Sequence, residues 1–299
     1  MRPPQRPART APALLLLLLV ALQAEPGLAG QAEARAVVIL SFDGMRADAL
    51  HGAWPISLHQ QAAASWSART VLPSLTLPAH TSMVSGVGPE VHGVRFNDWA
   101  PEMGRLTLPT IFTRVRGAGG GVAVLVAKQK LLFLVPSDLT ADWLPFPRYR
   151  QGAVLDVAAQ RFRQERPALL FVHVADPDDA GHRHGWMSGP YLAVVRDVPG
   201  LVERFLEQVR AVGAWWQTLI ILTSDHGGHG VVHGSSRLED VTIPWIALGG
   251  LARPGVELAQ PIMIYDTAAT ALAALGLPVP PQWQGRPVLE ALAAAPAGR

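Results

Sequence analysis

Five short runs of almost wholly apolar residues set the strongest constraint on the fold of this chain. They cover residues 36–42, 121–127, 168–174, 218–224 and 243–249. Runs of this kind are typical of strands buried on both faces, as in a parallel sheet between helices. Longer segments with a helical pattern alternate with them, at residues 108–116, 153–164, 192–212 and 266–275. The sequence therefore predicts an α/β fold: a three-layer α/β/α sandwich with a mainly parallel central sheet.

A hydrophobic leader precedes the first run. Arg2, Arg6 and Arg9 stand before an apolar stretch at residues 11–22, and small residues follow it. This order is typical of a secretory signal peptide, and the stretch is shorter than the ~20 residues that cross a bilayer. We therefore predict a signal peptide at residues 1–24, cleaved between about residues 24 and 30. The mature chain would have no transmembrane segment; an uncleaved membrane anchor is the alternative.

The charge of the predicted mature chain does not indicate a surface for binding polyanions. The formal net charge is +2, and removal of residues 1–24 takes away three arginines and no acidic residue, which leaves −1. Nucleic acid is therefore not an expected partner. The chain has no cysteine, so an exported protein with this sequence gains no disulfides. The mature length suffices for one large domain, predicted at residues 31–299, and no pattern indicates an oligomeric state.

Three of the apolar runs lead directly into acidic or histidine residues. Asp43 follows the first run, Asp178 follows the third, and Asp225 and His226 follow the fourth. Ligands of open α/β sheets bind beyond the carboxyl ends of the strands. We therefore expect these four side chains to lie at one edge of the sheet.

Two further histidines extend these clusters. His182 lies four residues after Asp178, and His233 belongs to the Gly-rich loop behind His226. Aspartate oxygens and histidine nitrogens are good ligands for zinc and similar ions. Six of them exceed the need of one four-coordinate ion and favour a two-metal site, which can clamp the entering and leaving oxygens of a phosphoryl displacement. His229, in the same loop, is the alternative to His233.

A candidate nucleophile lies between the first two clusters. Thr76 precedes Pro78 and a helical-looking stretch that ends at Gly86, which places it at a helix N-terminus, where free N–H groups and the helix dipole favour a phosphate. A threonine hydroxyl beside a metal ion is an activated nucleophile. The alternative is an ordinary helix N-cap. Asn97 is a candidate amide donor to a phosphate oxygen, with an ordinary turn residue as the alternative.

Other polar residues near these motifs have a simpler interpretation. We expect His80 and His173 to be structural. Lys128 follows the second apolar run. A surface position is the default for such a lysine, and contact with a substrate is the alternative.

Taken together, these residues resemble the alkaline phosphatase superfamily and, within it, the nucleotide pyrophosphatase/phosphodiesterase (type I phosphodiesterase) family. The likeness extends from about residue 37 to residue 292 and includes "SFDGMR", "PDDAGH" and "SDHGG". It implies an alkaline-phosphatase-like fold with two zinc ions, or other divalent ions. One ion would be held by Asp43, Thr76, Asp225 and His226. The other would be held by Asp178, His182 and His233.

The resemblance also implies an activity. It predicts an exported hydrolase, periplasmic or secreted, of small phosphate esters, with phosphodiesters (nucleotide or lipid-like) as substrates. Thr76 would form a covalent phosphothreonine intermediate, and Asn97 would bind a phosphate oxygen. A phosphomonoesterase or a phosphonate hydrolase with the same two-metal site is the close alternative, and a non-catalytic metal-dependent binding protein is the remote one. A sulfatase is disfavoured, because position 76 is threonine in a chain without cysteine.

Overall fold

The structure, a computed structural model, describes Met1 and residues 36–293. The predicted signal peptide beyond Met1 lies outside the described residues, as do its cleavage region and residues 31–35 and 294–299 of the predicted domain. Among the described helices, none combines the length and the apolar character that a membrane span requires.

An eight-stranded sheet runs through the described residues. Its strands are β1 (Ala36–Phe42), β2 (Ala63–Arg69), β3 (Val122–Val126), β4 (Asp142–Trp143), β5 (Leu169–Val174), β6 (Thr218–Thr223), β7 (Thr242–Leu248) and β8 (Val256–Glu257). Their order across the sheet is β4-β3-β5-β1-β6-β7-β2-β8. β1 is therefore central, and it pairs in parallel with β5 on one side and with β6 on the other.

The five strands predicted from apolar runs are confirmed as β1, β3, β5, β6 and β7. The direction of β7 differs from the others, because it pairs antiparallel with both β6 and β2. The remaining pairs are parallel, so the mainly parallel sheet is confirmed. β2 was not predicted, since its sequence AASWSAR lacks a continuous apolar run. β4 and β8 contain only two residues each, too few to give a pattern.

Helices cover both faces of the sheet. They are α1 (Ala47–Ala53), α2 (Ile56–His59), α3 (Thr76–Ser85), α4 (Pro89–His92), α5 (Ile111–Gly117), α6 (Gln151–Glu165), α7 (Asp176–His184), α8 (Gly189–Ala211), α9 (Leu238–Val241) and α10 (Asp266–Ala274). The four predicted helical segments correspond to α5, α6, α8 and α10. The helical-looking stretch before Gly86 is α3. The acidic and histidine cluster at residues 176–184 also forms a helix, α7, which the sequence pattern did not predict.

The alternating side chains of β1 explain why the strand is apolar throughout. Val37 and Ile39 belong to a hydrophobic cluster that includes residues of α3, α5 and α10. Val38 and Leu40 belong to a second cluster with residues of α1, α6 and α8. Successive side chains of a strand point to opposite faces of the sheet, so both faces of β1 are buried. This arrangement is the predicted three-layer sandwich, and it leaves the carboxyl ends of the strands as the edge where polar groups gather.

Candidate metal centre

Three neighbouring strand ends bring the predicted acidic residues together. β5, β1 and β6 are adjacent and parallel, so their carboxyl ends meet at the same edge of the sheet. Asp43 directly follows β1, Asp225 follows β6 after one residue, and Asp178 lies in the first turn of α7 behind β5. All three aspartates are buried. The Gly44 N–H donates a hydrogen bond of 3.1 Å to Asp225 Oδ1 and so ties two of these strand ends together.

Four polar atoms at this edge are buried and have no hydrogen-bond partner among the described residues. They are Asp43 Oδ1, Thr76 Oγ1, Asp225 Oδ2 and His226 Nε2. His226 Nε2 lies 3.4 Å from Asp43 Oδ1 and 3.3 Å from Asp225 Oδ2. Ligands placed tetrahedrally about 2.0–2.1 Å from zinc are separated by about 3.3–3.4 Å. An orphaned buried polar atom is costly unless something binds it, and the spacing of His226 from Asp43 and from Asp225 is that of ligands of one divalent ion. Asp43, Asp178 and His226 also offer three ligand atoms within the reach of one ion.

A second group of donors lies beside the first. Asp178 Oδ1 is also buried without a hydrogen-bond partner. His182 Nε2 is 3.4 Å from this oxygen, and His233 Nε2 is 3.6 Å from it. Asp178, His182 and His233 therefore offer three ligand atoms within the reach of one ion. His233 also stacks on His226, with 3.7 Å between the ring centroids, so the two groups of donors are in direct contact.

Backbone carbonyls determine which ring nitrogen carries the proton in the three candidate histidine ligands. His182 Nδ1 donates to Val231 O (2.9 Å), His226 Nδ1 to Gly227 O (2.8 Å) and His233 Nδ1 to Ser74 O (2.9 Å). A proton on Nδ1 leaves Nε2 with a free lone pair, as a metal ligand requires. His229 Nδ1 also donates, to Asp240 Oδ1 at 2.7 Å, so its Nε2 is free as well. Among the described residues, however, His233 belongs to a group of donors within the reach of one ion, and His229 does not. The geometry therefore favours His233 over His229 as the third histidine ligand.

Thr76 and Asn97 meet at the start of α3. Thr76 is the first residue of the helix and makes no capping hydrogen bond; the N-cap position belongs to Leu75. The Leu77 N–H donates to Asn97 Oδ1 at 3.0 Å. Because this bond uses the amide oxygen of Asn97, its NH₂ group is the part left to donate to a ligand. Sequence reasoning placed both residues near a phosphate, and the structure joins them through one helix terminus.

The turn after Asp43 requires a glycine. Gly44 has a φ of +67°, and a Cβ on it would lie 2.8 Å from the Cα of Asp178. The Gly44 carbonyl accepts hydrogen bonds from Trp186 Nε1 (2.8 Å) and from the Tyr191 hydroxyl (3.0 Å). The Trp186 ring is packed edge-on against His182 and His233. This contact builds a buried wall behind the second group of donors.

Sequence reasoning missed three residues that contact the candidate ligands. Lys128 Nζ lies 2.7 Å from Asp43 Oδ2 and donates to Asp178 Oδ2 at 2.5 Å. His173, in β5, donates from Nε2 to Asp43 Oδ2 at 2.9 Å, since its Nδ1 accepts the Ala127 N–H. His80 donates from Nδ1 to Thr76 O at 2.8 Å. A histidine inside the apolar run of β5 was the one available signal, because a buried polar side chain needs a partner.

The pKa values of the three buried aspartates at this edge shift in different directions. Burial would raise the pKa of Asp43, but Lys128 and His173 hold it well below its usual value. Burial and the charge of Asp43 would raise the pKa of Asp178, yet Lys128 lowers it. The pKa of Asp225 is raised well above its usual value by burial and by Asp43. Asp225 therefore gains most from an added positive charge, as a metal ion would supply.

Comparison with known proteins places all the candidate residues within a family match. The sequence matches the family model described as type I phosphodiesterase / nucleotide pyrophosphatase over residues 37–116 and 121–243. Ectonucleotide pyrophosphatase/phosphodiesterase family member 1 of Mus musculus is 28% identical over 220 residues, which are 65% of this chain and 24% of that protein. The chain thus spans about a quarter of the length of the first curated relatives that it matches.

Solved structures give the same fold. Murine ectonucleotide pyrophosphatase/phosphodiesterase 5, an inactive variant in complex with AMP, has a TM-score of 0.72 at 16% identity, over 88% of this chain and 100% of that chain. A phosphonate monoester hydrolase from Silicibacter pomeroyi has a TM-score of 0.63 at 16% identity, over 85% of this chain and 75% of that chain. These likenesses confirm the predicted alkaline-phosphatase-like fold.

The close approach of Gly44 to Asp178 can be separated from backbone strain by a pair of alanine variants. Gly93 has a similar φ of +74°, but a methyl group added there would meet nothing within 4 Å, whereas Gly44 faces the Asp178 backbone. In both variants the alanine has to adopt a left-handed backbone conformation, which costs ~1–2 kcal/mol. We expect Gly44→Ala to lower the free energy of unfolding, measured in denaturant, by more than Gly93→Ala does. Equal losses would contradict a steric role for the contact.

Proposed function

Because this chain belongs to the type I phosphodiesterase/nucleotide pyrophosphatase family, we propose that it is a metal-dependent hydrolase of small phosphate esters, with phosphodiesters as substrates and Thr76 as the nucleophile. One observation carries this proposal. The Thr76 hydroxyl is a buried, unpartnered oxygen within a group whose other members are two carboxylates and an imidazole. Such a group has the composition of a metal site that holds its own nucleophile.

Two zinc ions, or other divalent ions, fit the donors of the centre. Asp43, Thr76, Asp225 and His226 would hold one ion, and Asp178, His182 and His233 would hold the other. Two contacts support a single centre for both ions. His226 stacks on His233, and the Lys128 ammonium contacts both Asp43 and Asp178. When bound, such ions favour the alkoxide of Thr76 and balance the negative charge of a phosphoryl group.

The residues of the chain would then supply the nucleophile, hold it in position and bind the phosphate. Thr76 Oγ1 would lose its proton and attack phosphorus, so that a bond forms to the threonine oxygen while the ester bond breaks and the leaving alcohol takes up a proton. Water would next hydrolyse the phosphothreonine, which restores the Thr76 hydroxyl. The hydrogen bond of His80 to Thr76 O fixes the backbone that carries the nucleophile. The Asn97 amide would donate to a non-bridging phosphate oxygen, where negative charge develops.

A phosphomonoesterase or phosphonate hydrolase is the second candidate, and Lys128 is the observation that favours it. Enzymes for monoester dianions need more positive charge at the phosphate than enzymes for diesters. The Lys128 ammonium, however, lies between two carboxylates, Asp43 and Asp178. These three charges sum to −1, so the lysine adds no net positive charge. The neutral amide of Asn97 also suits a diester monoanion, which keeps the diesterase as the first proposal.

The proposal also includes the cellular context of the enzyme. We propose a single catalytic domain at residues 31–299 and export from the cytosol, on the basis of the leader-like sequence at residues 1–24. Both the curated relatives and the chain itself fit a small-molecule phosphate ester as the partner, and the charge of the mature chain argues against a nucleic-acid polymer.

The metal content of the protein tests the centre. We expect about two ions per chain after zinc reconstitution, because six Asp and His ligands exceed one tetrahedral ion. His182 is exposed and belongs to the second group alone, so His182→Ala should lower the content by about one ion. His184, exposed on the same helix, provides the control: His184→Ala should keep both ions. Elemental analysis of the three proteins measures this, and a wild-type content near zero would refute the centre.

Removal of the Thr76 hydroxyl tests the nucleophile. Thr76→Ala should lower turnover by roughly 10³–10⁶-fold, as losses of other nucleophiles do, with most of the metal retained by the remaining ligands. Thr76→Ser should keep part of the activity, because the hydroxyl remains while the methyl group that fixes its rotamer is lost.

Thr81 offers a matched control for the Thr76 variants. It is buried on the same helix, and its hydroxyl donates to Leu77 O. Thr81→Ala should cost stability but retain turnover per folded molecule. Turnover, zinc content and melting temperature are measured on all four proteins. A fully active Thr76→Ala protein would end the nucleophile proposal.

The charge at the centre predicts a preference between two simple substrates. A diester carries one negative charge and a monoester carries two, and the neutral Asn97 amide together with the neutralised Lys128 suits the first. We expect a higher kcat/KM for bis-p-nitrophenyl phosphate than for p-nitrophenyl phosphate, with the same leaving group in both assays. The reverse order would support the monoesterase instead.

A further inference from the structure

Lys128 contacts one carboxylate in each of the two groups of candidate metal ligands. Its ammonium contacts Oδ2 of Asp43, in the first group, and Oδ2 of Asp178, in the second. The other carboxylate oxygen of each residue, Oδ1, is the buried atom without a hydrogen-bond partner. The lysine therefore engages both carboxylates without occupying the oxygens that face the candidate histidine ligands.

No other lysine or arginine among the described residues pairs with Asp43 or Asp178. Their remaining close contacts are histidines. The Nδ1 atom of His173 accepts the Ala127 N–H, so this ring carries one proton and adds no positive charge. Two buried carboxylates without a cation repel each other and lose their hydration. Lys128 is therefore the fixed positive charge that makes their burial tolerable in the metal-free chain.

We propose that Lys128 is a built-in counter-ion of the metal centre, which holds Asp43 and Asp178 in their ligand positions and lets the chain fold without metal ions. This inference rests on the metal centre proposed above. It assigns Lys128 a positioning role, since the side chain acts through the two aspartates. Asp225 lies outside this pairing, and metal ions would supply its counter-charge.

The sign of the coupling between Lys128 and bound metal follows from Coulomb's law. A metal ion and an ammonium are both positive, so each lowers the benefit of the other at shared carboxylates. In wild type, Lys128 has already balanced Asp43 and Asp178 before a metal ion arrives. Without the lysine, metal ions relieve the full repulsion between the two carboxylates. Zinc should therefore stabilise a Lys128 variant more than it stabilises wild type.

Thermal unfolding with excess chelator and with zinc tests this coupling on the full mature chain. The proteins are wild type, Lys128→Met and the matched control Arg161→Met. Arg161 also pairs with two carboxylates, Asp142 and Glu165, but its side chain is 37% exposed, and exposed pairs contribute little to stability. In chelator, wild type and Arg161→Met should unfold cooperatively at similar temperatures. Lys128→Met should unfold about 4–10 °C lower, as expected when a largely buried ion pair is broken.

The zinc arm separates this inference from the metal centre itself. We expect zinc to raise the melting temperature of Lys128→Met by several degrees more than that of wild type. If zinc raises neither temperature, the metal centre fails. If it raises both equally, or if Lys128→Met matches wild type in chelator, only the counter-ion inference fails.

A double variant covers the case in which Lys128→Met does not fold. Asp178→Asn removes the negative charge that the lysine balances, so Lys128→Met combined with Asp178→Asn restores the charge balance. If the single variant is unfolded with and without zinc, the double variant should fold in chelator. A double variant that is equally unfolded would overturn the inference, because loss of packing rather than of charge would then explain the defect.

Discussion

Three aspartate carboxylates lie buried within one small volume because three adjacent parallel strands end there. Asp43, Asp178 and Asp225 cannot all carry a charge in that volume without nearby cations. Lys128 balances the first two, whereas the pKa of Asp225 is raised by burial and by Asp43. The need to balance the charge of these buried carboxylates therefore determines which side chains lie at this edge of the sheet.

The backbone around the centre is arranged to aim histidine nitrogens at these carboxylates. The loop that carries His233 is held at both ends by Asp240: its carbonyl accepts the Gly227 N–H, and its carboxylate accepts hydrogen bonds from His229 and Ser235. Asp240 is fully buried, so these bonds replace its lost hydration. His229 is thus used to shape the loop, and His233 is left to face Asp178.

The sequence predicted the sheet and most of the candidate site for different physical reasons. The apolar runs of β1, β5 and β6 are long enough to indicate buried strands, and an acidic residue after each one marks the functional edge. The direction of β7 was not predictable, because a buried strand has the same composition in either direction. Lys128 and His173 were missed because their contacts depend on β3 lying next to β5 and β5 next to β1. Strand order is a long-range property that apolar runs do not encode.

The start of α3 shows how the two candidate catalytic groups are linked. We expected free N–H groups there to bind a phosphate, but few remain free. The Leu77 N–H donates to Asn97, Pro78 has no N–H, and the Ala79 N–H donates to Leu75 O. The Leu77 N–H, a free donor in an ordinary helix N-terminus, is therefore used by Asn97 Oδ1. The NH₂ group of the Asn97 side chain replaces it as a hydrogen-bond donor beyond the backbone. Because the same terminus carries Thr76, the proposed nucleophile and the proposed phosphate-oxygen donor keep a fixed separation, which a shared phosphoryl group would require of them.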